Sequence, residues 1–131
     1  MLHRIALLAL CLTPLAPGKL LRIELSERSD VLGNHSFGKT GPYERMIGKA
    51  YFAVDPKLPA NQIIADIDKA PCNADGLVEF SSDIYVLKPR DPARGNGSVL
   101  YEVSNRGNKG MLAMFNRAAG SHDPRTTDHL G

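Results

Sequence analysis

Alternation of apolar and polar side chains is the main signal along this chain, and it predicts a β-rich protein. The run Leu77 to Leu87 is the clearest case. Val78, Phe80, Ser82, Ile84 and Val86 fall on one face and Glu79, Ser81 and Asp83 on the other, the period-two pattern of a strand. Leu20 to Leu25 repeats it, with Leu21, Ile23 and Leu25 opposite Arg22 and Glu24. Tyr43 to Val54 alternates less cleanly, yet Met46, Gly48, Ala50, Phe52 and Val54 share a face, and Gly48 inside the run marks a bulge or a close backbone approach. Asp55-Pro56 and Pro59 end that element. Asn61 to Asp68 reads as a short strand or one helical turn, and Ile63, Ile64 and Ile67 favour the strand. Between these runs, Ser26 to Thr40 is polar and turn-rich, and Lys69 to Asp75 is a proline-containing loop.

The second half of the chain changes character. The turn cluster Lys88 to Gly97 leads into Val99 to Val103, which reads as a buried strand antiparallel to its predecessor. A glycine-rich turn follows, and then a helical run, Met111 to Ala119, with Met111, Met114 and Phe115 at i, i+3, i+4 spacing and Gly120 as its cap. Strand, glycine turn and helix start is an arrangement that exposes backbone N–H groups and so builds sites. Ser121 to Gly131 is polar and holds no further expected element, so the chain stops where an αβ unit would deliver its next strand.

At the N-terminus, Arg4 precedes an apolar run, Ile5 to Ala16, that is shorter than the roughly 20 residues a membrane span needs. Its length suits a secretory signal, with Ala16 and Gly18 at the small-residue cleavage positions. Pro14 and Pro17 disfavour the alternative, a buried helix. Export to the periplasm or beyond follows as an expectation. The 131 residues carry a formal charge of +2, and the segment 1–18 holds Arg4 and no acid, so the remainder stays near neutral. A neutral chain with no basic stripe argues against nucleic acid and against an anionic membrane surface as partners.

The residue types that carry chemistry are sparse. Cys11 lies within the expected signal, and Cys72 then stands alone, which gives no disulfide framework and no zinc site. His35 sits in a loop, where a lone histidine is ordinarily solvated. Asp66, Asp68, Asp75 and Asp83 do not match a calcium-loop spacing and read as solvated edges. No metal ligand set, cofactor motif or catalytic residue is assigned.

Several stretches in order carry a resemblance. Gly38-Lys39-Thr40-Gly41-Pro42-Tyr43-Glu44, Val54-Asp55-Pro56 and Asp66-Ile67-Asp68-Lys69-Ala70-Pro71 come first. Gly76-Leu77-Val78-Glu79-Phe80-Ser81-Ser82-Asp83, Tyr101-Glu102-Val103-Ser104-Asn105-Arg106-Gly107, Phe115-Asn116-Arg117-Ala118 and Asp123-Pro124 follow. Together they resemble a family of large secreted bacterial alpha/beta hydrolase domain proteins. Members are several times longer, so the resemblance implies an N-terminal piece. Its fold class would be α+β and β-rich: an N-terminal β extension plus the first strands and first helix of an incomplete α/β-hydrolase sheet. The implied organisation is a signal peptide over 1–18, a β-rich extension over 19–75, and the opening of the hydrolase domain over 76–131. The parent reaction would be ester or amide hydrolysis through a serine nucleophile, on a small-molecule substrate and without a cofactor. Asn105, Arg106 and Gly107 would then form the loop that donates an oxyanion N–H.

The chain departs from that family where it matters for catalysis. It contains no Gly-x-Ser-x-Gly nucleophile elbow. Ser104 lacks the elbow glycines, and His122 and His129 come too early in the sheet order to serve as the triad base. The expectation is an inactive piece. The alternative is an exported, non-catalytic β-rich binding or structural module. A self-contained module should cover Val99 to Val103, whereas a piece of a larger sheet should leave that segment and the apolar side of Met111 to Phe115 exposed.

Overall fold

Four strands and a few short helical turns make up the computed structural model, which describes residues 17–104 and 109–131. The strands are β1 (Lys19–Asp30), β2 (Ser36–Phe37), β3 (Gly41–Val54) and β4 (Val78–Pro89). Two short helices follow, α1 (Met111–Asn116) and α2 (Thr127–Leu130). The protein is β-rich. β3 is the organising strand, since β1, β2 and β4 all pair with it.

The register is readable from side-chain partners. Along β1 and β3, Ser26 Oγ donates to the Ile47 carbonyl at 3.2 Å and Arg28 Nε to Glu44 at 2.6 Å, so a step forward on one strand meets a step back on the other. On the other flank, Lys49 pairs with Asp83 at 3.6 Å and the Arg90 N–H donates to the Pro42 carbonyl at 2.9 Å, again antiparallel. The short β2 pairs Ser36 with Pro42 and Phe37 with Gly41.

Alternation predicts β1 and β4, and both run further than the pattern reaches. β1 continues from Leu25 to Asp30 through Ser26, Glu27, Arg28 and Ser29, residues that read as loop because they are polar. The side chains of Ser26, Glu27 and Arg28 find polar partners on β3 and Ser29 donates to Glu27, which removes the cost of placing them in a sheet. The close approach expected at Gly48 is present. A Cβ there would overlap the Glu24 carbonyl oxygen and lie 3.0 Å from the Leu25 Cα.

Four segments differ from expectation. Asn61 to Asp68 is a succession of turns rather than a strand, ending in a single 3-10 turn at Ile67–Lys69. Asn61 is 4% exposed, and its Nδ2 donates to the carbonyls of Pro17 and Asp55. Its own carbonyl accepts from Ile64, and the Ile64 carbonyl from Ile67, which curls the chain. Ile63 is left exposed and only Ile67 is buried. Val99 to Val103 forms no regular element and pairs with no strand among the described residues, and it is not buried: Val99 is 88% exposed. α1 stops at Asn116, ahead of Gly120, because Arg117 takes the left-handed conformation at φ 58°. The tail carries α2, where no element was expected, held by Ala119 N–H to Asp128 O at 2.7 Å and Asn116 Nδ2 to Leu130 O at 3.0 Å.

The described chain forms two compact units. One contains Tyr51–Ser81 with residues up to Arg22; the other contains Ile23–Ala50 and Ser82–Gly131. The first unit is held by a Phe52–Phe80 stack at 5.2 Å, by Arg22 over the Tyr51 ring at 3.6 Å, and by the Asn61 bonds. The second is held by ion networks. Buried apolar residues are few and mostly small, among them Val31, Ala50, Ala53, Val54 and Ala118.

Candidate functional site

The densest chemistry lies in the second unit, around adjacent β3 residues Glu44 and Arg45. Successive strand residues point to opposite faces, so the two charges are sent to different sides of the sheet. Both are buried, at 4% and 6% exposure. Glu44 takes Arg28 from β1 at 2.6 Å and Lys88 from β4. Hydrogen bonds from Arg28 and Lys88 hold its carboxyl down at about 2, against the opposing effect of burial. Arg28, Ser29, Asp30, Glu44 and Arg90 line a cleft of about 330 Å³. Arg90 is in turn matched by Asp30 at 3.2 Å and Asn34 at 2.9 Å.

On the other face Arg45 binds Glu27 of β1 and Asp123 of the tail, the latter at 2.7 Å. Asp123 is the hub of this cluster. Its Oδ1 also accepts from the Tyr85 hydroxyl at 3.4 Å, and its Oδ2 from Arg125 Nε at 2.6 Å. Burial pushes the Asp123 carboxyl up, and the Arg125 bond with the charges of Arg45 and Arg125 brings it below its ordinary value. Burial raises the Tyr85 phenol. Lys109 stands over the Tyr85 ring at 4.8 Å. The buried charges of both clusters meet partners of opposite sign, which is the pattern of a structural ion network rather than of an acid and base poised for catalysis.

Asn105, Arg106 and Gly107 lie outside the described residues. Their flanks are described. Glu102 reaches forward, and its carboxylate accepts from the N–H groups of Gly110 at 2.9 Å and Met111 at 3.2 Å. Two backbone donors at the start of α1 are thus occupied by the chain's own carboxylate, which the sequence pattern does not reveal because Glu102 alternates as an ordinary strand residue.

The remaining candidates are dispersed. His35 packs edge-on against Phe37 at 5.1 Å, and Phe37 against Tyr43 at 5.4 Å. His129 Nδ1 accepts from the Arg125 N–H at 3.5 Å. The His122 carbonyl accepts from Lys109, and Ser104 is exposed. Cys72 is an exposed free thiol. Among the described residues no three His, Cys, Asp or Glu side chains converge to hold a metal ion, and no helix is long and apolar enough to cross a membrane. A second cleft, of about 360 Å³, lies in the first unit and is lined mainly by Pro17, Ala53, Leu58 and Leu77.

No protein-family model, curated protein or solved structure matches the chain.

Proposed function

We propose that this chain is the opening portion of an exported α/β-hydrolase-like protein and performs no acyl transfer by itself. The carrying observation is an uncovered apolar surface in the second unit. Val99, Leu100, Tyr101 and Val103 are 88%, 62%, 80% and 79% exposed, and Met114 and Phe115 of α1 are 75% and 62% exposed. Exposed apolar side chains on a backbone without a ladder partner are prone to association with another chain or sheet. Further strands of a larger sheet would cover it. The ordered motifs support the same reading. In the parent protein, Asn105 to Gly107 would supply an oxyanion donor, and the nucleophile, acid and histidine would come from later segments of the hydrolase domain. The substrate class is an ester or amide.

The test is hydrolysis of p-nitrophenyl acetate and butyrate by the purified chain, with gel filtration and circular dichroism alongside. The expected result is no turnover above background and concentration-dependent association. Turnover abolished by a serine-directed inhibitor would overturn the reading. A soluble, cooperatively melting monomer without turnover would favour a self-contained module instead.

A further inference from the structure

We propose that Asn96 is a site of spontaneous covalent modification, at which the Gly97 backbone nitrogen attacks the Asn96 side-chain amide and converts it to aspartate and isoaspartate. Asn96-Gly97 is the single Asn-Gly pair in the sequence. Both residues are exposed, in the connection that leaves β4. Asn96 Oδ1 accepts a hydrogen bond from the Ser98 N–H at 3.0 Å. That bond closes a turn in which the side chain folds back over the intervening peptide, bringing Cγ toward the Gly97 nitrogen. It also places a donor on the oxygen that gains negative charge when the amide carbon is attacked, the role an oxyanion donor plays in acyl transfer. Gly97 has no Cβ, no heavy atom outside its two chain neighbours lies within 4 Å of where one would stand, and its φ is 75°. No neighbouring segment therefore crowds closure of the five-membered ring, and the turn restricts the side chain to conformations near the attacking nitrogen.

The chemistry balances without an oxidant or reductant. The Gly97 nitrogen loses its proton and bonds to Asn96 Cγ. The Cγ–Nδ2 bond breaks and ammonia leaves with a proton. Water then opens the cyclic imide at either carbonyl, giving aspartate or a β-linked isoaspartate. The product carries a new negative charge and, in the β-linked form, an extra backbone methylene just ahead of Val99.

The rest of the molecule provides internal controls. Asn73 makes a similar turn, its Oδ1 accepting from Asp75 and Leu77 at 3.0 Å, but Ala74 follows it and its Nδ2 is held by Glu79 at 2.6 Å. Asn61 is buried with Nδ2 tied to two carbonyls. The experiment is to age the dilute full chain in mildly alkaline buffer and map amide loss by peptide mass spectrometry, with isoaspartate read by an isoaspartyl-specific methyltransferase. Parallel samples are aged in concentrated urea. Asn96 should convert at least roughly tenfold faster than Asn61 or Asn73, and at least as fast folded as in urea. Asn96→Gln should abolish the signal, and Ser98→Pro, which removes the donor, should slow it in the folded chain only. Slower conversion at Asn96 folded than in urea, or equal conversion at Asn73, would overturn the proposal.

Discussion

Glu44 and Arg45 are consecutive residues of β3 that are both buried and face opposite sides of the sheet, each clamped by partners of opposite charge from other segments. Placing adjacent unlike charges on the organising strand makes the register of the sheet an electrostatic matter. A one-residue slip in one direction would put Glu44 against Glu27 and Asp123, and in the other direction Arg45 against Arg28 and Lys88.

Removing the buried cation should therefore be costly. Arg45→Met leaves Glu27 and Asp123 facing each other with only the exposed Arg125 between them, and we expect a loss of about 2 kcal/mol in a urea titration. Asp123→Asn should cost less, because Arg45 retains Glu27, and a larger loss for Asp123→Asn than for Arg45→Met would contradict the assignment of Arg45 as the centre.

The acid limb of stability should belong largely to Glu44. Its carboxyl is held at about 2 when folded, against about 4.5 without its partners. A lowered folded value contributes stability that is fully present above the unfolded value and is lost as the pH falls through the folded one. Urea midpoints measured downward from pH about 6 should thus begin to fall near 4.5 and keep falling toward about 2. Asp123, also lowered, adds to the same trend. Glu44→Gln should flatten the profile in that window, and an unchanged slope would show that the Glu44 cluster does not govern it.

Gly48 and Gly120 differ in what surrounds them. Gly48→Ala forces β1 and β3 apart at the Glu24 carbonyl, with an expected cost of about 2 kcal/mol in thermal or urea unfolding. Gly120→Ala meets no atom within 4 Å and should be neutral or slightly stabilising. Equal effects would mean the strands do not approach at Gly48.

The exposed segment should govern solubility rather than stability. Val99→Lys with Val103→Lys replaces side chains that are 88% and 79% exposed, so the stability should stay within about 0.5 kcal/mol of the parent while light scattering falls. A large loss of stability would indicate that these side chains are packed.

The sequence by itself determined that the protein is β-rich, that strands occupy the segments beginning near Leu20, Tyr43 and Val78, and that Gly48 marks either a bulge or a close approach. Each of those follows from local alternation or from the one residue lacking a Cβ, which no distant partner alters. What only the tertiary structure decided is where polar residues become strand and where apolar ones do not. Ser26, Glu27 and Arg28 extend β1 because β3 offers them partners, and such pairing has no local signature. Ile63 and Val99 stay exposed because a strand needs a neighbour for its backbone, and the turns around Asn61 and Asn96 carry the chain away from one. The pairing of Arg45 with Asp123, 78 positions apart, is likewise absent from any local pattern and arises from the fold alone.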